Sequence, residues 1–146
     1  MNKLTLLAAG AILFSACDDD KDTPPTPSRT DLLVDKDWVL KDYLETTIGS
    51  TTTTSVYAEE YDACEQDDFI RFTRPNLAVL NEGPTKCDPD DLQVEETTWT
   101  LANNDVTLTF NNQEYDISEL TDASMKLTPR VVPTNMKIYT LVYAKK

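Results

Sequence analysis

The sequence has no histidine. That excludes a Ser-His-Asp or Cys-His catalytic site and any histidine-ligated metal, and it removes the commonest general base. Glycine is scarce, three in 146 residues, and none sits in a Gly-rich phosphate loop. No apolar run reaches the about 20 residues that a membrane-spanning helix needs. Basic residues number 13 against 26 acidic ones, a net charge of −13. Such a surface argues against nucleic acid, whose binding rests on Lys and Arg neutralising phosphates, and against anionic lipid head groups. No Cys-x-x-Cys pair occurs, so redox catalysis has no support. Asp88-Pro89-Asp90-Asp91 offers oxygens, yet lacks the spacing, glycine and late glutamate of a calcium loop. Paired carboxylates are the enzyme chemistry left open. Asp67 and Asp68, as neighbours at the start of a strand, would point to opposite faces. The expectation is a non-catalytic protein with no metal and no cofactor.

What is present begins at the N-terminus. Met1-Asn2-Lys3 is a short basic start, and Leu4 to Ala16 is apolar or small and uncharged. That length suits the h-region of a cleaved signal peptide, here residues 1–16. Leu13-Phe14-Ser15-Ala16-Cys17 resembles the lipobox of bacterial lipoproteins, with Phe14 where that family prefers Leu. The resemblance implies cleavage before Cys17, a diacylglycerol on its sulfur and an acylated amine. Several acyl chains give stable anchoring, at about 0.8 kcal/mol per buried methylene. The membrane is thus the first expected partner. Asp18, Asp19, Asp20 and Asp22 follow directly. They form a solvated spacer, and they resemble the acidic export signal of surface lipoproteins from Bacteroidetes-type bacteria. In enterobacteria an Asp in that place instead resembles an inner-membrane retention signal. The expected address is the cell envelope, as an outer-membrane lipoprotein, with exposure on the outer face left open as a further step. Thr23-Pro24-Pro25-Thr26-Pro27-Ser28 then extends the chain, because proline fixes φ and removes donors. Residues 17–29 read as a tether and 30–146 as one domain.

Within that domain the period is mostly two. A helical turn is expected at Thr30-Asp31-Leu32-Leu33, capped by Thr30 or Asp31. "DWVLKDYLE" puts Trp38, Leu40 and Leu44 on one face, with Asp42 a flaw in the pattern. Thr46 to Tyr57 is rich in β-branched residues and reads as a hairpin, a loop with a strand, or a disordered threonine loop. "YDACEQDDFIRF" is a turn and then a strand, Arg74-Pro75-Asn76 turns, and Leu77 to Leu80 returns. "TTWTLANNDVTLTF" is the clearest hairpin: Trp99 and Leu101, then Val106, Leu108 and Phe110, alternate with wettable threonines. Glu95-Glu96 reads as a charged strand edge. "EYDISEL", "SMKLTP" and "TNMKIYTLVYAKK" add strands, the last apolar on both faces. Eight or nine short strands in succession predict an all-β, antiparallel up-and-down barrel, whose closure removes its own edges. Cys64 and Cys87, the cysteines left in an exported chain, are expected to form a disulfide, the alternative being two reduced thiols.

"DLLVDKDWVL", "CEQDDFIRF", a later Cys, "TTWTL", "VTLTF" and "YDISELT" together resemble lipocalin-like domains of Bacteroidetes lipoproteins, from Leu32 to about Tyr143. The resemblance implies a lipid-tethered barrel with the two cysteines bonded. True lipocalins carry Gly-x-Trp on the first strand, and Lys36 takes the glycine's place before Trp38. An eight-stranded barrel is either filled or wide enough for one small ligand. Trp38, Phe72, Trp99, Leu108 and Phe110 are the candidate interior, as ligand contacts or as packed core. Two functions follow. One is non-catalytic binding of a small, largely apolar ligand. The other is a solid-core barrel acting as an accessory subunit for an envelope protein partner, with Thr46 to Ser55 as the loop to test.

Overall fold

The computed structural model describes residues 25–130 and 136–146. The signal stretch, Cys17 and Asp18, Asp19, Asp20 and Asp22 therefore lie outside the described residues. A single turn of helix, α1 (Arg29–Leu33), opens the fold. Its cap is Ser28 rather than Thr30 or Asp31. The Ser28 hydroxyl accepts from the Asp31 N–H, and the Asp31 carboxylate accepts from the Ser28 N–H, a capping box. The Ser28 hydroxyl donating to the Asp31 carboxylate, then the Ser28 N–H, with the Arg74 guanidinium beside it, hold that carboxyl below its ordinary range.

Nine strands follow: β1 (Asp37–Thr47), β2 (Thr53–Ser55), β3 (Phe69–Thr73), β4 (Leu77–Asn81), β5 (Val94–Ala102), β6 (Thr107–Phe110), β7 (Gln113–Leu120), β8 (Ser124–Pro129) and β9 (Lys137–Lys145). A helical turn, α2 (Tyr57–Glu60), precedes β3. Every pairing is antiparallel, and β3 to β9 pair in chain order. β1 joins the two ends of the ribbon. Asp37–Val39 pairs with β3, while nearly the whole strand pairs with β9. The sheet is thereby a closed antiparallel barrel, with the short β2 added beside the far half of β1.

Alternation holds where the register is regular and fails where it slips. The register of β1 against β9 shifts between Leu40 and Asp42. A bulge of this kind inserts one residue and exchanges the two faces beyond it. Leu44 therefore leaves the face of Trp38 and Leu40, and Tyr43 takes its place, paired with Leu141 of β9. Asp42 is no flaw. It lies outside and accepts from Ser55. The second slip of the pattern is at the β5–β6 turn. Asn103, Asn104 and Asp105 all have positive φ, a conformation that Asn and Asp tolerate better than most residues. The turn extends through Val106, which is exposed, and β6 starts at Thr107, which is buried and bonded to the Asn103 amide.

The core fills one end of the barrel. Trp38, Phe72, Trp99, Leu108, Phe110 and Leu127 meet inside it, and Leu33 and Val34 of the α1 segment pack onto the same cluster. The indole of Trp38 donates to the Leu33 carbonyl at 2.8 Å, so burial of that ring leaves no polar group unpaired. Arg29 ties α1 to the β5–β6 turn through the Asp105 carbonyl. Lys36 donates to the Asp31 and Leu32 carbonyls and pairs with Asp122 of the β7–β8 turn at 3.3 Å. In the place of a glycine, this chain thus uses a lysine to satisfy the last carbonyls of α1 and pin the helix across the barrel end.

Candidate functional site

At the other end the barrel stays open. A pocket of about 300 Å³ sits there, between the inner faces of β1, β3, β4 and β9 and two long loops, residues 61–68 and 82–93. Its apolar wall is Trp38, Leu40, Ile70, Leu80, Tyr61 and Tyr143. The pairings explain why these side chains converge. Trp38 is opposite Ile70, Ile70 opposite Leu80, and Leu40 opposite Tyr143, and cross-strand partners share a face. Leu92, 69 % exposed, forms an apolar lip. Apolar walls with few polar groups are the ordinary composition of a small-ligand site.

The charged groups at this mouth have one sign. Glu65 and Asp68 come from one loop, Glu82 from the other, and Glu95 from the start of β5 opposite Leu80. Glu95 is therefore a pocket residue as well as a strand-edge charge. Lysine and arginine are missing from the lining. Asp68 carries the clearest electrostatic signature. Burial, then the nearby Glu82, Asp67 and Glu65, pushes its carboxyl up to about 6. Its Oδ1 is buried without a hydrogen-bond partner among the described residues. A carboxyl raised in the folded state favours folding while protonated. That contribution is full below the ordinary Asp range and is lost as pH rises through about 6.

The loops are fixed by specific contacts. Cys64 and Cys87 form a disulfide that joins them. Thr85 donates its backbone N–H to Asp67, and Gln93 donates to the Gly83 carbonyl and to Asn81. Gly83 has φ +66°, and a Cβ there would meet the Asp67 carbonyl oxygen at 2.6 Å. A glycine is thus required for the two loops to approach this closely. Behind Tyr61 lies a run of rings. Tyr61 stacks on Tyr57 at 5.4 Å and meets Tyr43 edge-on at 5.7 Å, and Tyr43 stacks on Tyr139 at 5.1 Å. Burial raises the phenols of Tyr61, Tyr57 and Tyr43 above their ordinary value.

Of the interior residues expected from the sequence, Trp38 lines the pocket. Phe72, Trp99, Leu108 and Phe110 fill the barrel below it and do not reach the lining. Their alternation placed them inside, but alternation says nothing of depth along the axis. The sequence reading missed Tyr61, Glu65, Glu82 and Leu92, which lie outside the strands and carry no periodic signal. Asp68 lines the pocket, while Asp67 bonds the facing loop. Among the described residues no three acidic or cysteine side chains are grouped to hold a metal ion.

A family model described as a lipocalin-like domain matches residues 36–127, more than half of the chain. The match runs from the residue before β1 into β8. It leaves out α1, which plugs one end, and β9, which closes the ring. No curated protein and no solved structure matches.

Proposed function

From the premise that the chain belongs to the lipocalin-like domain family, we propose that it is a lipid-anchored cell-envelope protein that binds a small, largely apolar ligand at the open end of its barrel and catalyses no reaction. The family's fold is a small-molecule binding fold. The observation that carries the reading is the division of the barrel. One half is packed and plugged, while the other keeps a pocket of about 300 Å³ with an aromatic and aliphatic wall. That volume is at the small end of ligand sites.

Native mass spectrometry tests the ligand. The domain, exported in its own host, kept oxidised, cut from the tether and purified without detergent, should carry a reproducible extra mass that denaturation removes. A bare mass would favour the accessory-subunit reading instead. That reading draws on the exposed apolar side chains Ile48, Met136 and Ile138, which the Ile48–Met136 backbone bond and the Thr46–Ile138 pairing bring together at the rim.

The anchor has its own test. Cys17→Ser should move the protein from the membrane fraction to the soluble fraction, because its thiol is the acyl acceptor. Retention of the variant in membranes would refute the lipid anchor without touching the pocket. The outer membrane and its outer face are proposed on the acidic run after Cys17. Surface labelling of intact cells checks that placement.

A further inference from the structure

The charge and shape of the open end say more about the ligand than that it is apolar. The wall formed by Trp38, Leu40, Ile70, Leu80, Tyr61 and Tyr143 suits a hydrocarbon body. Above it four carboxylates, Glu65, Asp68, Glu82 and Glu95, stand around the mouth with no lysine or arginine in the lining to answer them. They come from three separate segments and are not grouped to hold a metal ion. A bulkier cation, wide enough to reach across the mouth, matches that spread. Tyr61 adds an aromatic surface beside the acids, and ring faces attract ammonium groups. Asp68 stands in the lining where wall and rim meet, and a charged N–H makes the strongest kind of hydrogen bond to a carboxylate.

We propose that the ligand is a cationic amphiphile: a compact apolar body held against Trp38, Leu40 and Ile70, bearing one protonated or quaternary nitrogen that sits among Asp68, Glu82 and Glu95. This inference rests on the pocket being a binding site and adds the charge of its occupant. An anionic amphiphile such as a fatty acid is excluded by the same four carboxylates.

The surroundings of Asp68 set its pH behaviour. Glu65 and Asp67 face it from its own loop, Glu82 from the facing loop, Glu95 from β5, and Tyr57 and Tyr61 from α2 and its C-terminal end. The charge packed against the neighbouring Phe69 is Lys146, over its ring at 4.9 Å. A cation beside Asp68 favours the ionised form and so binds best once that carboxyl is ionised.

Calorimetric titration of the full oxidised chain with octylammonium, octanol and octanoate tests the proposal. Octylammonium should bind about tenfold more tightly than octanol, and octanoate more weakly than either. The advantage of octylammonium should grow as pH rises through about 6, while octanol binding stays level. Asp68→Asn should abolish that pH dependence and bring octylammonium down to about the level of octanol. This variant keeps the shape of a carboxyl that the fold already prefers neutral. Glu95→Gln, on an exposed rim residue, repeats the test should Asp68→Asn not fold. Octanol and octanoate binding as well as octylammonium would overturn the cation and leave the pocket standing. Failure of all three to bind would overturn the pocket and the cation together.

Discussion

Replacing Phe72 with alanine should destabilise the protein by about 3–5 kcal/mol, the range for deleting a buried phenylalanine from a packed core. Phe72 is fully buried. Its ring meets Trp99 edge-on at 6.0 Å and Phe110 edge-on at 5.4 Å. Both geometries are favourable beyond the area they bury. The site cannot collapse to fill the hole, because β3 is held on one side by β1 and on the other by β4. Since domains of this size have about 5–15 kcal/mol in all, the loss is a large part of the total. Urea unfolding followed by the fluorescence of Trp38 and Trp99 measures it. The midpoint should fall sharply with the slope unchanged. Phe72→Leu, which keeps most of the volume, should cost markedly less. A small effect of Phe72→Ala would mean that the closed half of the barrel is looser than its contacts indicate. Because Phe72 does not line the pocket, the residual folded protein should bind octylammonium as before.

The barrel was legible in the sequence because its signals are local and repeat. Trp99 and Leu101, then Leu108 and Phe110, alternate with polar neighbours across a turn of Asn and Asp. The pairing Trp99 with Phe110 and Leu101 with Leu108 follows from that turn. The failures have one cause each. Alternation puts Leu44 on the inner face because a bulge at Lys41 leaves no mark in a period-two pattern. Alternation counted back from Leu108 puts Val106 inside, whereas three left-handed residues hold the turn open one position further. The cap lies two or three residues ahead of Thr30 and Asp31 because Ser28 reads as tether in sequence, though Ser-x-x-Asp is itself a capping signal.

The candidate site was less legible than the fold, and for a reason of topology. Its wall is contributed by strands that are close in space and far apart in sequence. Its rim comes from two loops whose conformation no local pattern encodes. Glu65, Asp68 and Glu82 read as ordinary solvated charges in an acidic chain. They acquire meaning once the disulfide and the tight approach of Gly83 to Asp67 bring the loops face to face. Cys64 and Cys87 were the one local hint that these two segments meet.

Removing that link should have the second large effect, and a different one. In the chain-entropy account, a crosslink spanning 23 residues restricts the unfolded ensemble, and deleting it costs roughly 3 kcal/mol. The double variant Cys64→Ser/Cys87→Ser should lose about that much stability. Unlike Phe72→Ala, it removes no side chain from the packed cluster of the closed end, to which neither cysteine belongs. The loss should therefore appear with native-like tryptophan fluorescence at low denaturant. The pocket should suffer more than the fold. Tyr61, Glu65 and Asp68 ride on the loop of Cys64, and Glu82 and Leu92 on the loop of Cys87, so the acidic rim is held in register by the bond between them. Octylammonium affinity should fall by about tenfold or more, and reduction of the wild-type chain should produce the same two changes reversibly. The remaining bonds between the loops, from Thr85 to Asp67 and within the Gly83 turn, set how much of the rim survives. If the double variant binds octylammonium as the oxidised protein does, those bonds position the carboxylates by themselves, and the disulfide acts on stability alone.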